Sequence, residues 1–253
     1  MIANGLVLVH GWAMNATVWE GLRWPQAWQS RIMALDLPGY GKTQESLDMD
    51  SLPALADWFI ARAPRDRVWL GWSLGGMVLL QAVATLAAQS PTALPAALVL
   101  VGVTPKFVND LTWHYGVDEP ILDTFAESFI EYRSGIKDFL HLQLGNSRQQ
   151  RGLAMTMSQV LLAQQQPLFS TLMDGINILR NADLRPRLST VTVPVRVLQG
   201  SRDRVCSMAA ASYLTEHLPQ AELIVFPRCG HIPFVECPQQ FVTAVCGDWA
   251  GIK

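Results

Sequence analysis

Short apolar runs alternate along this chain with longer stretches in which apolar positions recur every three or four residues. The runs Leu6–Val9, Arg31–Asp36, Val68–Trp72, Ala97–Val103, Val195–Gly200 and Glu222–Phe226 are rich in Val, Leu and Ile and bounded by turn residues, so each predicts a strand. The helical period falls on Leu52–Ala63, Leu74–Gln89, Ala209–His217 and Pro238–Ala250, each between two strand candidates or after the last. Apolar strands joined by helical crossovers need a mostly parallel sheet with helices on both faces, which makes the fold class α/β. The alternation stops between Thr104 and Arg187. Helical periodicity continues there over Ile121–Leu144, Gln149–Gln164 and Pro167–Leu179, without a convincing strand. We therefore expect a core of 1–103 and 188–253, with 104–187 inserted as a helical lid over the strand ends.

Each strand candidate runs into residues better suited to chemistry than to packing: His10-Gly11-Trp12, Asp36-Leu37-Pro38-Gly39, Ser73, Gly102, Asp203 and His231. Ligands of open α/β sheets bind beyond the carboxyl ends of the strands, so these groups are predicted to meet at one edge. Gly71-Trp72-Ser73-Leu74-Gly75-Gly76 fits G-x-S-x-G directly after a strand and before a helix, the context of a nucleophilic serine on a strained turn. A serine hydroxyl is a weak nucleophile at neutral pH and needs a base, for which histidine has the best-matched pKa. Among the five histidines, His231 follows a strand near the chain end, where the order serine, acid, histidine places the base. His114, His141 and His217 fall in helical or lid regions, and His10 suits a structural or oxyanion-supporting role.

The acid should follow the penultimate strand, and Gly200-Ser201-Arg202-Asp203-Arg204 offers Asp203, which would accept the histidine Nδ1–H and fix its tautomer. Arg202 and Arg204 are placed to keep it ionised. Asp36 and Asp183 are the rival carboxylates, the first in a strand-end turn and the second before Leu184-Arg185-Pro186. Two donors must meet the oxyanion of a tetrahedral intermediate. The backbone N–H of Leu74, after the serine, and that of Trp12, after Gly11, are the candidates. The side chains of Trp12, Trp19 and Trp72 are candidates for lining an apolar acyl pocket.

Composition narrows the setting. At 253 residues with half of them apolar, the chain can build one large core. A net charge of −2 without a block of like charges gives no footprint for nucleic acid. Met1–Val9 has no basic leader and enters His10-Gly11 directly, and polar residues or proline interrupt every apolar stretch long enough to span a bilayer, so a cytoplasmic protein without a membrane span is expected. Cys206, Cys229, Cys237 and Cys246 form no C-x-x-C pair and are read as ordinary thiols.

Together, the motif, the triad order and the strand–helix alternation resemble the α/β-hydrolase superfamily over nearly the whole chain. Within it, His10-Gly11-Trp12, Asn15-Ala16, Val18-Trp19, Asp36-Leu37-Pro38-Gly39, Leu70-Gly71-Trp72-Ser73-Leu74-Gly75-Gly76, Ile178-Leu179 and Asp183-Leu184-Arg185 look similar to the pimeloyl-[acyl-carrier protein] methyl ester esterases of biotin synthesis. The resemblance implies a serine carboxylesterase that needs no metal or organic cofactor. It also implies an acyl carrier protein as the substrate's bearer, received by lid residues at the positions of Arg133, Lys137, Arg148 and Arg151. The chain departs from the family in starting almost at the His10-Gly11 strand, which predicts a shortened sheet edge, and in Gly41-Lys42-Thr43. Two other readings keep part of this picture: a carboxylesterase, lactonase or carbon–carbon bond hydrolase acting on a small free molecule, and a non-catalytic binding protein on the same scaffold.

Overall fold

The computed structural model describes residues 5–43, 51–144 and 147–249. Six parallel strands, β1 (Leu6–Val9), β2 (Ile32–Leu35), β3 (Val68–Trp72), β4 (Ala97–Val101), β5 (Val195–Gly200) and β6 (Ala221–Phe226), form one sheet in the order β2-β1-β3-β4-β5-β6. The chain adds β2 on one side of β1 and then crosses to build outward from β3. The order therefore reverses between β1 and β3, where open α/β sheets leave a crevice beyond the strand ends. Val9 pairs with Gly71 there, so His10-Gly11-Trp12 and Ser73 leave the sheet side by side.

β1, β3, β4 and β5 are buried throughout, and their sequences are accordingly apolar, except for Arg196 and Gln199 in β5. Covering them are α1 (Gln26–Gln29), α2 (Leu52–Ile60) and α3 (Leu74–Gln89), the last buried along most of its length. Between β4 and β5 come α4 (Glu119–Ser128), α5 (Tyr132–Leu144), α6 (Arg148–Leu162) and α7 (Phe169–Asn181). The chain closes with α8 (Met208–His217), α9 (Pro233–Glu236) and α10 (Pro238–Cys246). No helix among the described residues is long and apolar enough to cross a membrane.

The structure departs from the sequence pattern most clearly in four places, besides shifts of one to three residues at other element ends. The fourth strand ends at Val101 because Gly102 turns left-handed, with φ 54°. The stretch expected as one helix, Ile121–Leu144, is two: after Phe129, Glu131 accepts the Ser134 N–H at 2.9 Å and starts α5 as a cap would. The last helix stops at Cys246 before Gly247, and Ala250, its expected end, lies outside the described residues, as do Met1–Asn4. The segment after β4 is not featureless, since Lys106 bridges Asp183 and Leu184 N–H donates to Pro105 C=O at 2.8 Å, tying the entry of the helical insertion to its exit.

Candidate active site

Ser73 links β3 to α3 with φ 54° and ψ −121°, a conformation that costs a non-glycine residue about 1–3 kcal/mol and persists only where the surroundings impose it. The glycines around it explain how the turn is held. A Cβ on Gly71 would lie 2.6 Å from the backbone of Gly76, and one on Gly75 would lie 2.5 Å from the His10 carbonyl oxygen and 2.7 Å from that of Val9. The first turn of α3 thus lies against the end of β1 at a distance only glycine allows. We expect Gly75→Ala to destabilise the fold by about 1–3 kcal/mol, seen as a lower urea midpoint at unchanged slope. An unchanged midpoint would contradict the close approach.

His231 lies between β6 and α9 and is 1% exposed. Its Nδ1 is 2.7 Å from Asp203 Oδ2, both side chains being fully buried. Asp203 Oδ2 also accepts Gln199 Nε2 at 3.0 Å, while Oδ1 accepts the Val205 and Cys206 N–H groups at 2.7 and 2.9 Å. Four donors therefore converge on one carboxylate. The flanking arginines do not supply them: Arg202 and Arg204 are exposed, and among the described residues neither pairs with Asp203. With Nδ1–H given to Asp203, the imidazole keeps Nε2 as its acceptor. That nitrogen is buried without a hydrogen-bond partner among the described residues, an arrangement that costs about 1–3 kcal/mol unless a ligand or reacting group uses it.

Two features seat the imidazole. A Cβ on Gly102 would stand 2.8 Å from its Nδ1 and Cε1, so glycine leaves the ring its space. Trp72, the residue before Ser73, donates its indole N–H to the His231 carbonyl at 3.1 Å and lies 5.6 Å from the imidazole, centroid to centroid. Gly11 lies beside Ser73, where a Cβ would be 3.2 Å from the serine Cβ. The Trp12 N–H that follows and the Leu74 N–H at the start of α3 are given to no acceptor among the described residues. His10 holds this loop as a neutral ring. Its Nε2 accepts the Leu37 N–H at 3.0 Å, so Nδ1 carries the proton and donates to the Gly11 carbonyl at 2.7 Å. Burial lowers its pKa against the opposing effects of that hydrogen bond and of Asp36.

The rival carboxylates are occupied elsewhere. Asp36 accepts the Ala16 and Lys42 N–H groups at 2.6 and 2.8 Å, and Asp183 pairs with Arg185 at 2.6 Å.

Trp12, Trp19 and Trp72, the tryptophans predicted to line the acyl pocket, are all buried, each in a different setting. Trp12 donates its indole N–H to the Leu172 carbonyl of α7 at 2.9 Å and packs edge-on against Phe129 and Phe139. Trp72 packs against Phe234 beneath the imidazole. Trp19 packs against Phe234 with tilted rings 4.6 Å apart and lines a cavity of 350 Å³ with Leu8, Trp24, Ile32 and Asp36, in which Ser73, Asp203 and His231 take no part. On the insertion, Arg133, Lys137, Arg148 and Arg151 are all exposed. Lys137 of α5 and Arg151 of α6 share a 290 Å³ hollow with His141, Met155 and Ser158, which Arg133 and Arg148 do not line.

The sequence pattern did not single out Gln199 or the contacts by which the insertion grips the strand-end loops. Gln199 had a signal, since a polar side chain in a fully buried strand must find a partner. The grips had none. Tyr132 donates to the Ala13 carbonyl at 3.0 Å and His231 N–H donates to the Gln143 carbonyl at 2.9 Å, joining residues far apart in the chain.

Residues 6–244 match the model of the alpha/beta hydrolase family. The pimeloyl-[acyl-carrier protein] methyl ester esterase of Nitrosomonas europaea is 36% identical over 94% of this chain and 92% of its own length. That of Vibrio campbellii is 34% identical over 95% and 92%. Among solved structures, an esterase from Exiguobacterium antarcticum superposes with a TM-score of 0.79 at 22% identity, covering 95% of this chain and 90% of that one. A bromoperoxidase from Bacillus anthracis reaches 0.80 at 16% identity with the same coverage. At those identities the structural likeness speaks for the fold alone.

Proposed function

The chain belongs to the alpha/beta hydrolase family, and we propose that it is a serine carboxylesterase hydrolysing the methyl ester of pimeloyl-[acyl-carrier protein] in biotin synthesis. The observation that carries the chemistry is the buried, unpartnered Nε2 of His231, its other nitrogen held by Asp203, in a site whose serine sits on a strained turn. The substrate rests on the extent of the likeness to esterases of that name.

In this reading Ser73 Oγ attacks the ester carbonyl as His231 Nε2 takes its proton. The Trp12 and Leu74 N–H groups receive the oxyanion, which is generally the largest single contribution to such catalysis. The tetrahedral intermediate collapses, methanol leaves with the proton from His231, and Ser73 is left acylated. Water then gives its proton to His231 and attacks the acyl group, releasing the free carboxylate and restoring the serine. Asp203 holds the imidazole in the Nδ1–H form and stabilises the imidazolium at each transfer. Residues 104–187 act as a lid over the strand ends, with Trp12 and Trp72 as the apolar frame of the acyl site; Trp19 lines a cavity apart from the triad and is left out of that frame.

The lid also receives the carrier protein through Arg133, Lys137, Arg148 and Arg151, and the reaction takes place in the cytoplasm. Surface attraction of this kind is screened over about 8–10 Å at physiological ionic strength, so activity on the carrier-bound ester should fall as salt rises. Changing Arg148 and Arg151 to glutamate is expected to raise KM for the carrier-bound ester while hardly altering a short p-nitrophenyl ester. Equal losses on both would argue against docking there.

The test of the whole reading is methanol release from the methyl ester of pimeloyl-carrier protein, set beside a p-nitrophenyl ester. Strong preference for the carrier-bound ester supports the biotin-pathway function. Activity on the small ester alone leaves a carboxylesterase of free small molecules.

A further inference from the structure

We infer that Glu236 is a positioning residue that couples the lid helix α6 to the candidate base, an inference that rests on the reading of His231 as that base. Glu236 ends α9, a short turn that immediately follows the base loop. One of its oxygens, Oε2, accepts the N–H of Gly230 at 2.6 Å, so it grips the Cys229–Gly230 peptide unit, one residue ahead of His231. The other, Oε1, accepts Gln150 Nε2 at 2.9 Å from the first turn of α6. A single carboxylate therefore spans from the base loop to the lid.

The lid side of this bridge is a helix cap. Gln150 Oε1 accepts the Ser147 N–H at 3.1 Å and Ser147 Oγ accepts the Gln150 N–H at 3.2 Å, a reciprocal cap that starts α6. With its oxygen so used, the Gln150 amide can present only its NH₂ to Glu236. The second clamp on the same loop is the His231 N–H, which donates to the carbonyl of Gln143 near the end of α5 at 2.9 Å. Gly230 lies so close to that carbonyl that a side chain would not fit. The N–H groups of Gly230 and His231 are thus held by Glu236, itself bonded to α6, and by the Gln143 carbonyl of the insertion, while Trp72 of β3 holds the His231 carbonyl from the sheet side.

Glu236 holds this place against an electrostatic penalty. It is half-buried, burial raises its pKa, and the charge of Asp203 raises it further. Among the described residues it has no cationic partner. A carboxylate kept there is explained by the need for two acceptor oxygens facing two donors, one on each body. Movement of α6 then shifts Gly230 and with it the direction of His231 Nε2. A misplacement of about 1 Å in a reacting group can lower a rate on the order of 100-fold.

The experiment is a polarity swap. In Glu236→Gln one oxygen becomes an NH₂ facing a donor, either the Gly230 N–H or the Gln150 amide. In Gln150→Glu two carboxylates meet. In the double variant every bond can reform: the new amide at 236 accepts from Gly230 and donates to the new carboxylate at 150, which still accepts the Ser147 N–H. Turnover of p-nitrophenyl butyrate, the rate of fluorophosphonate labelling of Ser73 and the thermal midpoint are measured for all four proteins. Each single variant is expected to lower kcat about 10–100-fold with KM nearly unchanged. The double variant should return to within a few-fold of wild type. Single variants with a lower thermal midpoint and wild-type kcat would leave Glu236 a merely structural group and overturn the inference while sparing the serine-esterase reading. Failure of the double variant to regain kcat would overturn the coupling through Gln150. A wild-type protein without Ser73-dependent labelling or turnover would remove the reading of His231 as base and the inference together.

Discussion

Replacing Ser73 with alanine is expected to lower ester turnover by about 10⁴–10⁶ while leaving the fold as stable as before. Both halves of this result have a structural reason. The turn at Ser73 is set by Gly71 and Gly75 and by the contact of α3 with the end of β1, so alanine meets the same backbone strain that serine does. The serine hydroxyl makes no hydrogen bond among the described residues, so its removal breaks no native contact. What remains is the loss of the proposed nucleophile. Turnover of a p-nitrophenyl ester beside the thermal midpoint checks the pair of effects, and wild-type-like turnover would sink the assignment of Ser73. Ser73→Gly extends the argument. Glycine adopts positive φ without penalty, so that variant should be as inactive and about 1 kcal/mol more stable than Ser73→Ala. A strained serine whose removal stabilises the protein is a residue kept for chemistry. Adding His231→Ala to Ser73→Ala should cost little more, because the two act as one unit.

The sheet was legible because its central strands are buried on both faces and leave a largely apolar signature, interrupted in β5 by Arg196 and Gln199; Leu6–Val9, Val68–Trp72 and Val195–Gly200 have the ends the pattern predicts. The helical insertion was legible as helix and not as its particular helices. Periodicity continues through Phe129–Glu131, and only the side-chain cap by Glu131 on the Ser134 N–H marks the break. The proximity of His231 and Asp203 could be anticipated from their places after β6 and β5, since adjacent parallel strands deliver their C-terminal loops to the same edge. The support around them could not. Gln150 reaches Glu236 across 86 positions, and the Gln143 carbonyl that holds His231 is a backbone group with no residue type to betray it. The sequence also suggested Arg202 and Arg204 as the charges beside Asp203, a reasonable guess from adjacency. In the turn after β5 those side chains are exposed to solvent, and the backbone N–H groups of Val205 and Cys206 hold the carboxylate instead.

Asp203→Asn should therefore be nearly as damaging as losing the serine, with a fall in kcat on the order of 10⁴. The direction is set by the donors around the carboxylate. Oδ1 faces the N–H groups of Val205 and Cys206, so an asparagine must place its carbonyl oxygen there. Its NH₂ then takes the position of Oδ2, facing Gln199 Nε2 and His231 Nδ1. To accept from that NH₂ the imidazole must give up its Nδ1 proton and carry it on Nε2, where it can no longer take a proton from Ser73. Gln199 cannot correct the mismatch by itself, because its Nε2 also donates to the Cys206 carbonyl at 2.8 Å. The substitution keeps size and burial and reverses only the sense of a hydrogen bond. The expected signature is a folded protein with near-normal KM for a p-nitrophenyl ester, slow labelling of Ser73 and a greatly reduced kcat. An asparagine variant with wild-type kcat would show that the acid is another carboxylate. Asp36 and Asp183 would then have to surrender the backbone and arginine donors that now hold them.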